Sequence, residues 1–312
     1  MKALVTGVAG FIGSTLAEQL VQDGADVVGI DCFTDYYERA VKERNLEKLK
    51  ASPRFRLVES AIQDADLPAL LSDRTHIFHL AAQAGVRKSW GREFSVYTTN
   101  NVEATQVLLE ACVNRPIERF VYSSSSSVYG DVVPLPMRED AMPQPLSPYG
   151  VTKLAAEQLC VLYWQNFRVP TMSLRYFTVY GPRQRPDMGF HKFLKAAHRG
   201  EPIGVFGDGE QTRDFTFVAD AVQANILAAR QGVPGGVYNV GGGSRVTVNE
   251  VLAMIGRVTG KTPKIDRGPA QKGDMRHTFA DMTRAQAELG FVPRVGLEEG
   301  LTAEYQWLTS IL

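Results

Sequence analysis

The chain has 312 residues, 44% apolar and 22% charged, which is the composition and length of a globular protein with a sizeable core. Its 34 Lys and Arg balance 34 Asp and Glu, excluding a broad field that would draw it to nucleic acid or to an anionic membrane, so any anion it binds is held locally. The cysteines Cys32, Cys112 and Cys160 are far apart and form neither a disulfide framework nor a metal-binding pair; reduced thiols, a cytoplasmic location and no metal are expected.

Met1 leads directly into Lys2-Ala3-Leu4-Val5-Thr6, so no cleavable leader is expected, and no apolar run is long enough to span a bilayer. The periodicity predicts a strand over residues 3–6, a helix over 12–24 and a strand over 26–30, which make one βαβ unit. Further strands are predicted over 55–58, 77–80, 120–123 and 172–176, with helices over 96–113 and 149–167. This alternation predicts an α/β fold with a doubly wound parallel sheet. After Tyr180 the pattern turns irregular, with a Gly- and Pro-rich stretch at 181–189, a basic helix over 190–199 and a turn-rich segment at 204–209. An apolar helix over 218–231 and a strand over 237–240 read as a return to the sheet. The expected organisation is one domain over 1–180, rejoined by 210–240 and interleaved with a smaller C-terminal domain within 181–312.

Between the first strand and the first helix stands Thr6-Gly7-Val8-Ala9-Gly10-Phe11-Ile12-Gly13. Gly7 suits a tight turn, Gly10 a close approach of phosphate to the backbone, and Gly13 close packing of helix on strand, while the helix N-terminus offers free N–H groups to an anion. Such a glycine turn also occurs without a ligand; its position at a strand-to-helix junction is what gives it weight. The strand over 26–30 ends at Asp31, about twenty residues past the loop, where a carboxylate accepts the hydroxyls of an adenosine ribose and repels a 2′-phosphate. The predicted cofactor is therefore NAD in preference to NADP, although Asp31 alone would also serve as a strand-end turn residue.

Tyr149 and Lys153 are four residues apart at the start of a predicted helix, so both project from one face, one turn apart. A tyrosine with its ordinary pKa of about 10 is a poor base at neutral pH; a neighbouring ammonium favours the phenolate, and Lys153 is expected to supply that charge. In isolation the pair reads more readily as a solvated Lys beside a half-buried aromatic. Here it follows Ser123-Ser124-Ser125-Ser126-Ser127-Val128-Tyr129-Gly130, in which a strand ends in hydroxyls at the carboxyl edge of the sheet. A serine there would share the proton with Tyr149; otherwise the run is a polar turn.

Taken together, G-x-x-G-x-x-G, Asp31, His79-Leu80-Ala81-Ala82-Gln83, Ser-Ser-Ser before Val-Tyr-Gly, and Tyr-x-x-x-Lys resemble the extended short-chain dehydrogenase/reductases that act on nucleotide sugars, over nearly the whole chain. The resemblance implies a Rossmann-type fold and oxidation of the carbon-4 hydroxyl of the sugar, with hydride transfer to NAD. It implies Ser125, Tyr149 and Lys153 as catalytic residues. It also implies Gly7, Gly10, Phe11, Ile12, Gly13, Asp31, Leu80, Ala81, Ala82, Gln83, Asn101, Tyr149, Lys153 and Tyr176 as NAD contacts. Ala61 departs from the pattern, standing where many relatives carry an Asp that reads the adenine.

Dehydratases of this kind carry an Asp-Glu pair directly before Val-Tyr-Gly, where this chain has Ser126-Ser127. Glucuronate decarboxylases typically have Glu at the position of Ser127 and Asn at that of Thr178. The stretch from Arg175 to Met188 is instead similar to that of UDP-glucuronate 4-epimerases, which implies that Arg185 grips the sugar carboxylate. The planar fork of a guanidinium suits that task; without the resemblance, Arg185 is one of several loop arginines pairing with Asp187 or solvent. By the same resemblance Ser125, Ser126, Ser127, Tyr149, Thr178, Arg185, Val205, Phe206, Arg213 and Arg276 bind the substrate, with Arg213 and Arg276 neutralising its diphosphate. The expected reaction converts UDP-glucuronate to UDP-galacturonate; decarboxylation of UDP-glucuronate and 4-epimerisation of a neutral UDP-hexose are the alternatives. A non-catalytic NAD-sensing protein is a third, against which the intact Ser125, Tyr149 and Lys153 argue. A homodimer is expected, paired through the helices over 96–113 and 149–167.

Overall fold

The computed structural model describes residues 1–312. Strands β1 (Lys2–Thr6), β2 (Asp26–Asp31), β3 (Phe55–Glu59), β4 (His76–His79), β5 (Arg119–Ser125) and β6 (Thr171–Tyr176) join the later strand Val237–Val240 in one seven-stranded sheet. All neighbours are parallel, in the order Val237–Val240, β6, β5, β4, β1, β2, β3. This is the doubly wound arrangement that the alternation predicts.

Parallel strands covered on both faces read as continuous apolar runs, because successive side chains enter opposite cores. Ala3 and Val5 of β1 pack into one core with Leu16 and Leu20 of helix α1 (Phe11–Gln22) and with the helix Val218–Gln231. Leu4 enters the opposite core with Leu108 and Leu109 of the helix Ala104–Cys112 and with Ala156 and Cys160 of the helix Pro148–Phe167. Each fully buried aliphatic side chain contributes roughly 1.5–3 kcal/mol relative to exposure. A third core, with Leu194, Val205, Leu252, Ile255 and Leu301, holds the C-terminal helices Gly189–Arg199, Val248–Thr259 and Leu297–Thr309 together. No helix is long and apolar enough to cross a membrane.

Two local expectations need correction. The predicted helix over 96–113 is Phe94–Tyr97, a π-helical turn Thr98–Glu103 and Ala104–Cys112. The π turn carries Asn101, whose side chain is bonded to Gln83 and Thr152 on other elements. The segment at 204–209 is not all turn: Ile203–Phe206 is a strand parallel to Ile265–Gly268. Ile203 and Val205 are buried while Gly204 and Phe206 face outward, a period-2 pattern that Gly204 obscures in the sequence.

Candidate active site

The strand order reverses between β1 and β4, so the loops leaving their carboxyl ends part and leave a crevice. Thr6 ties those two loops: its hydroxyl accepts the N–H groups of Leu80 and Ala81 at 3.1 and 3.0 Å and sits 2.8 Å from His79 Nδ1. Gly7 has φ +67°, and a Cβ there would lie 2.8 Å from the Ala81 nitrogen. A Cβ on Gly13 would lie 2.2 Å from the Gly7 carbonyl oxygen, so neither position admits a side chain. No side chain caps the first turn of α1, which leaves its N–H groups free for a diphosphate. At the end of β2, Asp31 accepts the N–H of Ala9 at 3.0 Å and that of Phe33 at 2.9 Å, one on each oxygen.

Gly7, Gly10, Phe11, Ile12, Gly13 and Asp31 line one long cleft with Leu80, Ala81, Ala82, Gln83, Tyr149, Lys153, Tyr176 and Arg185. This cradle fits a dinucleotide: a tight glycine turn at a helix start, a ribose-reading carboxylate, and a tyrosine and lysine at the far end. Tyr36, Tyr37 and Lys42 also line it, as do Ser60, Ala61, Ile62 and Gln63 after β3; of these, the sequence singled out only Ala61, as the position where relatives read the adenine. Their signal was positional, since β2 and β3 end at the same sheet edge as the glycine loop. Asn101 does not line the cleft. Its Oδ1 accepts the Gln83 N–H at 2.7 Å, and its Nδ2 donates to the Gln83 carbonyl at 3.0 Å and to Thr152 Oγ1 at 2.9 Å, so it braces the Gln83 loop from behind.

The helix Pro148–Phe167 begins where Ser147 Oγ accepts the Gly150 N–H at 3.1 Å and proline occupies the first turn. That start presents Tyr149 and, one turn on, Lys153 to the cleft. Burial raises the Tyr149 pKa, and the Ser125 hydroxyl and the Arg185 charge pull it back down. Burial also lowers Lys153 to about 7, opposed by the Glu157 carboxylate, and its Nζ lies 4.5 Å from the Tyr122 ring centroid. Arg185 thus adds a second cation to the cleft wall that holds Tyr149 and Lys153. Glu157, fully buried, is bound by Arg175 at 2.6 and 3.0 Å and accepts the Ser124 hydroxyl at 2.6 Å, which fixes the serine strand against the catalytic helix.

β5 divides two clefts. Ser123 and Ser124 line the dinucleotide cleft, and Ser126 and Ser127 line a second one with Thr178, Arg213, Ser147, Asp274 and Thr278. Ser125 lies between these two pairs in the chain, its hydroxyl accepting the Ser127 N–H at 3.1 Å and standing near enough to Tyr149 to lower its pKa. Arg185 lines the first of these clefts and Thr178 the second. Arg213 has no carboxylate partner; burial lowers its pKa, opposed mainly by Asp274. Arg276 is half-exposed and pairs through both terminal nitrogens with Asp208 at 2.9 and 2.8 Å, away from the cleft walls. Val205 is buried in the third core, and exposed Phe206 supports the Arg87 guanidinium 4.3 Å from its ring centroid. Arg87 in turn donates to Asp274 at 2.6 Å, closing one side of the second cleft.

The profile of the NAD dependent epimerase/dehydratase family matches residues 3–241. The chain is 43% identical to an uncharacterised UDP-glucose epimerase of Bacillus subtilis, covering 100% of this chain and 99% of that one. It is 36% identical to UDP-glucuronate 4-epimerase of Thermodesulfobacterium geofontis, covering 97% and 95%. Its structure is similar to the crystal structure of UDP-glucuronic acid 4-epimerase from Bacillus cereus in complex with UDP-glucuronic acid and NAD, with a TM-score of 0.97, 42% identity and complete coverage of both chains.

Proposed function

Since the chain belongs to the NAD dependent epimerase/dehydratase family, we propose that its two clefts form one active site, in which UDP-glucuronate is epimerised at carbon 4 to UDP-galacturonate with NAD as cofactor. The observation that carries this reading is that Tyr149 and Lys153 line the dinucleotide cleft, while Ser125, whose hydroxyl lowers the Tyr149 pKa, lies in the chain between Ser124 of that cleft and Ser126 and Ser127 of the cleft that Thr178 and Arg213 also line. Ser126 and Ser127 offer hydroxyls but no carboxylic acid, which disfavours elimination of water.

NAD, when bound, supplies the hydride acceptor and then the hydride donor at carbon 4. Tyr149 takes the proton of the carbon-4 hydroxyl as the hydride leaves and returns it when the ketone is reduced from the other face, so the protein ends as it began. Ser125, oriented by the Ser127 N–H, stands beside the same phenol, where its hydroxyl shares that proton when substrate is bound. Lys153 meets the ribose hydroxyls and, when charged, favours the phenolate. Arg213 offers the diphosphate an unpaired cation, joined by Arg276 once it leaves Asp208. Arg185 meets the sugar carboxylate. Oxidation at carbon 4 turns a glucuronate into a β-keto acid, so holding that carboxylate decides between epimerisation and loss of carbon dioxide.

This reading assigns residues 1–180 with 210–240 to NAD and most of 181–312 to the nucleotide sugar. It includes a homodimer paired through the helices Phe94–Tyr97 and Pro148–Phe167, supported by exposed Phe94, Val96, Val151, Leu162 and Phe167, and a cytoplasmic enzyme, supported by three unpaired cysteines. Incubation with UDP-glucuronate, read by NMR, tests the function. UDP-galacturonate as the main product supports it, and mainly UDP-pentose or no turnover contradicts it.

A further inference from the structure

A guanidinium has a side edge and an end edge, and in Arg185 one is already occupied. Its Nε and Nη2 donate to Asp187 Oδ1 and Oδ2 at 2.9 and 3.0 Å, a side-on bidentate pair, while Nη1 has no protein partner. Asp187 is itself supported: the Tyr36 hydroxyl lies 3.5 Å from Oδ2, and the Tyr36 ring centroid is 5.8 Å from the Arg185 guanidinium and 4.7 Å from Lys88 Nζ. The side chains of Arg185 and Asp187 are only 20% and 27% exposed, so the pair is sheltered from full solvent screening. An unpinned arginine samples many rotamers, and each orientation lost on meeting a ligand weakens binding. Pinning by the side edge leaves the end edge, formed by Nη1 and the second hydrogen of Nη2, aimed in one direction from a residue that lines the cleft beside Tyr149.

Resting on the reading that Arg185 meets the sugar carboxylate, we infer that Asp187 is a positioning residue: it holds the side edge of Arg185 so that one guanidinium joins two carboxylates, Asp187 through the side edge and the substrate through the end edge. A fixed end edge both favours a uronate over a neutral hexose and keeps the carboxylate of the 4-keto intermediate from the orientation in which carbon dioxide leaves. Asp187 contributes nothing to the grip on the nucleotide.

The test compares Asp187→Asn and Asp187→Ala with the parent enzyme, using UDP-glucuronate turnover, the UDP-pentose share of product by NMR, and affinity for UDP, which carries no carboxylate. The expected result is a KM for UDP-glucuronate raised by about tenfold, as for loss of one charged contact, a larger pentose share, and unchanged UDP affinity. In an Arg185→Ala background, Asp187→Asn should add nothing. Should Asp187→Ala fail to retain NAD or to melt cooperatively, the near-isosteric Asp187→Asn decides. Unchanged KM and product split in Asp187→Asn would overturn the inference. So would a fall in KM, which would make Asp187 a competitor displaced by substrate, or an undiminished effect in the Arg185→Ala background. If Arg185→Ala alone handles UDP-glucuronate normally, the underlying role of Arg185 is what fails, a result distinct from an impaired Arg185→Ala beside a normal Asp187→Asn.

Discussion

The backbone N–H of Ala9, inside the glycine loop, donates to Asp31 Oδ2 at 3.0 Å, so the loop that receives the diphosphate also orients the carboxylate that receives the adenosine ribose. With Phe33 bonded to the other oxygen, the carboxylate cannot swing away from a 2′-phosphate. NAD should therefore bind much more tightly than NADP, through like-charge repulsion at short range. Asp31→Asn, measured by calorimetric titration of both cofactors, should narrow the gap. Equal affinity of the parent protein for both would remove Asp31 from cofactor selection.

Gly13→Ala tests the closeness of the loop. The added methyl would lie 2.2 Å from a backbone oxygen of Gly7, which has no room to retreat. The expected outcome is loss of NAD retention on purification together with a lower melting temperature, and normal retention would show that the loop yields.

The sheet and the first ligand loop were legible because they rest on local rules: β-branched runs, a glycine turn before a helix, and a carboxylate at the next strand end. The serine strand and Tyr149 with Lys153 were legible as a motif, and the structure brings Ser125 and Tyr149 together although they are far apart in sequence. What was not legible depends on contacts between distant elements. The bonds of Asn101 to Gln83 and Thr152 follow from a π turn that periodicity does not encode. The strand that carries Val205 was not legible, because Gly204 hides its alternation and it is completed only by pairing with Ile265–Gly268. The helix Val248–Thr259 carried a readable signal, a capping box from Thr247 and Glu250, that a search for alternating strands passed over.

Replacing Tyr149 by Phe removes the proton acceptor and keeps the ring that packs 6.2 Å from Tyr97. Turnover should fall by roughly 10²–10⁴-fold with NAD binding little changed. Lys153→Met should be comparably damaging, and its remaining activity should peak at higher pH, because the phenolate loses a supporting charge. Turnover close to that of the parent in Tyr149→Phe would exclude this phenol as the base.

Glu304, fully buried on the C-terminal helix, accepts the Gly181 N–H at 2.8 Å through one oxygen and has no partner for the other. Burial lifts its pKa from the ordinary 4.5 to about 8. Between those values the folded protein holds a proton that the unfolded chain has released, so this group's contribution to stability is full below about pH 4.5, shrinks as pH rises and is gone above about 8. Glu304→Gln keeps the shape without the titration. Its melting temperature should gain on that of the parent as pH is raised from about 5 to about 8.5, by up to a few kcal/mol of stability. Parallel melting curves across that range would mean that Glu304 is not protonated at neutral pH.

The most direct test of the central claim follows the hydrogen on carbon 4. UDP-glucuronate carrying deuterium at that position is converted by the NAD-loaded enzyme in ordinary water, and the UDP-galacturonate formed is read by NMR and mass spectrometry. Oxidation and re-reduction by one retained cofactor predict that the deuterium stays on carbon 4 of the product, with no hydrogen from water replacing it. Loss of the deuterium to solvent, or formation of UDP-pentose in place of UDP-galacturonate, would contradict the account.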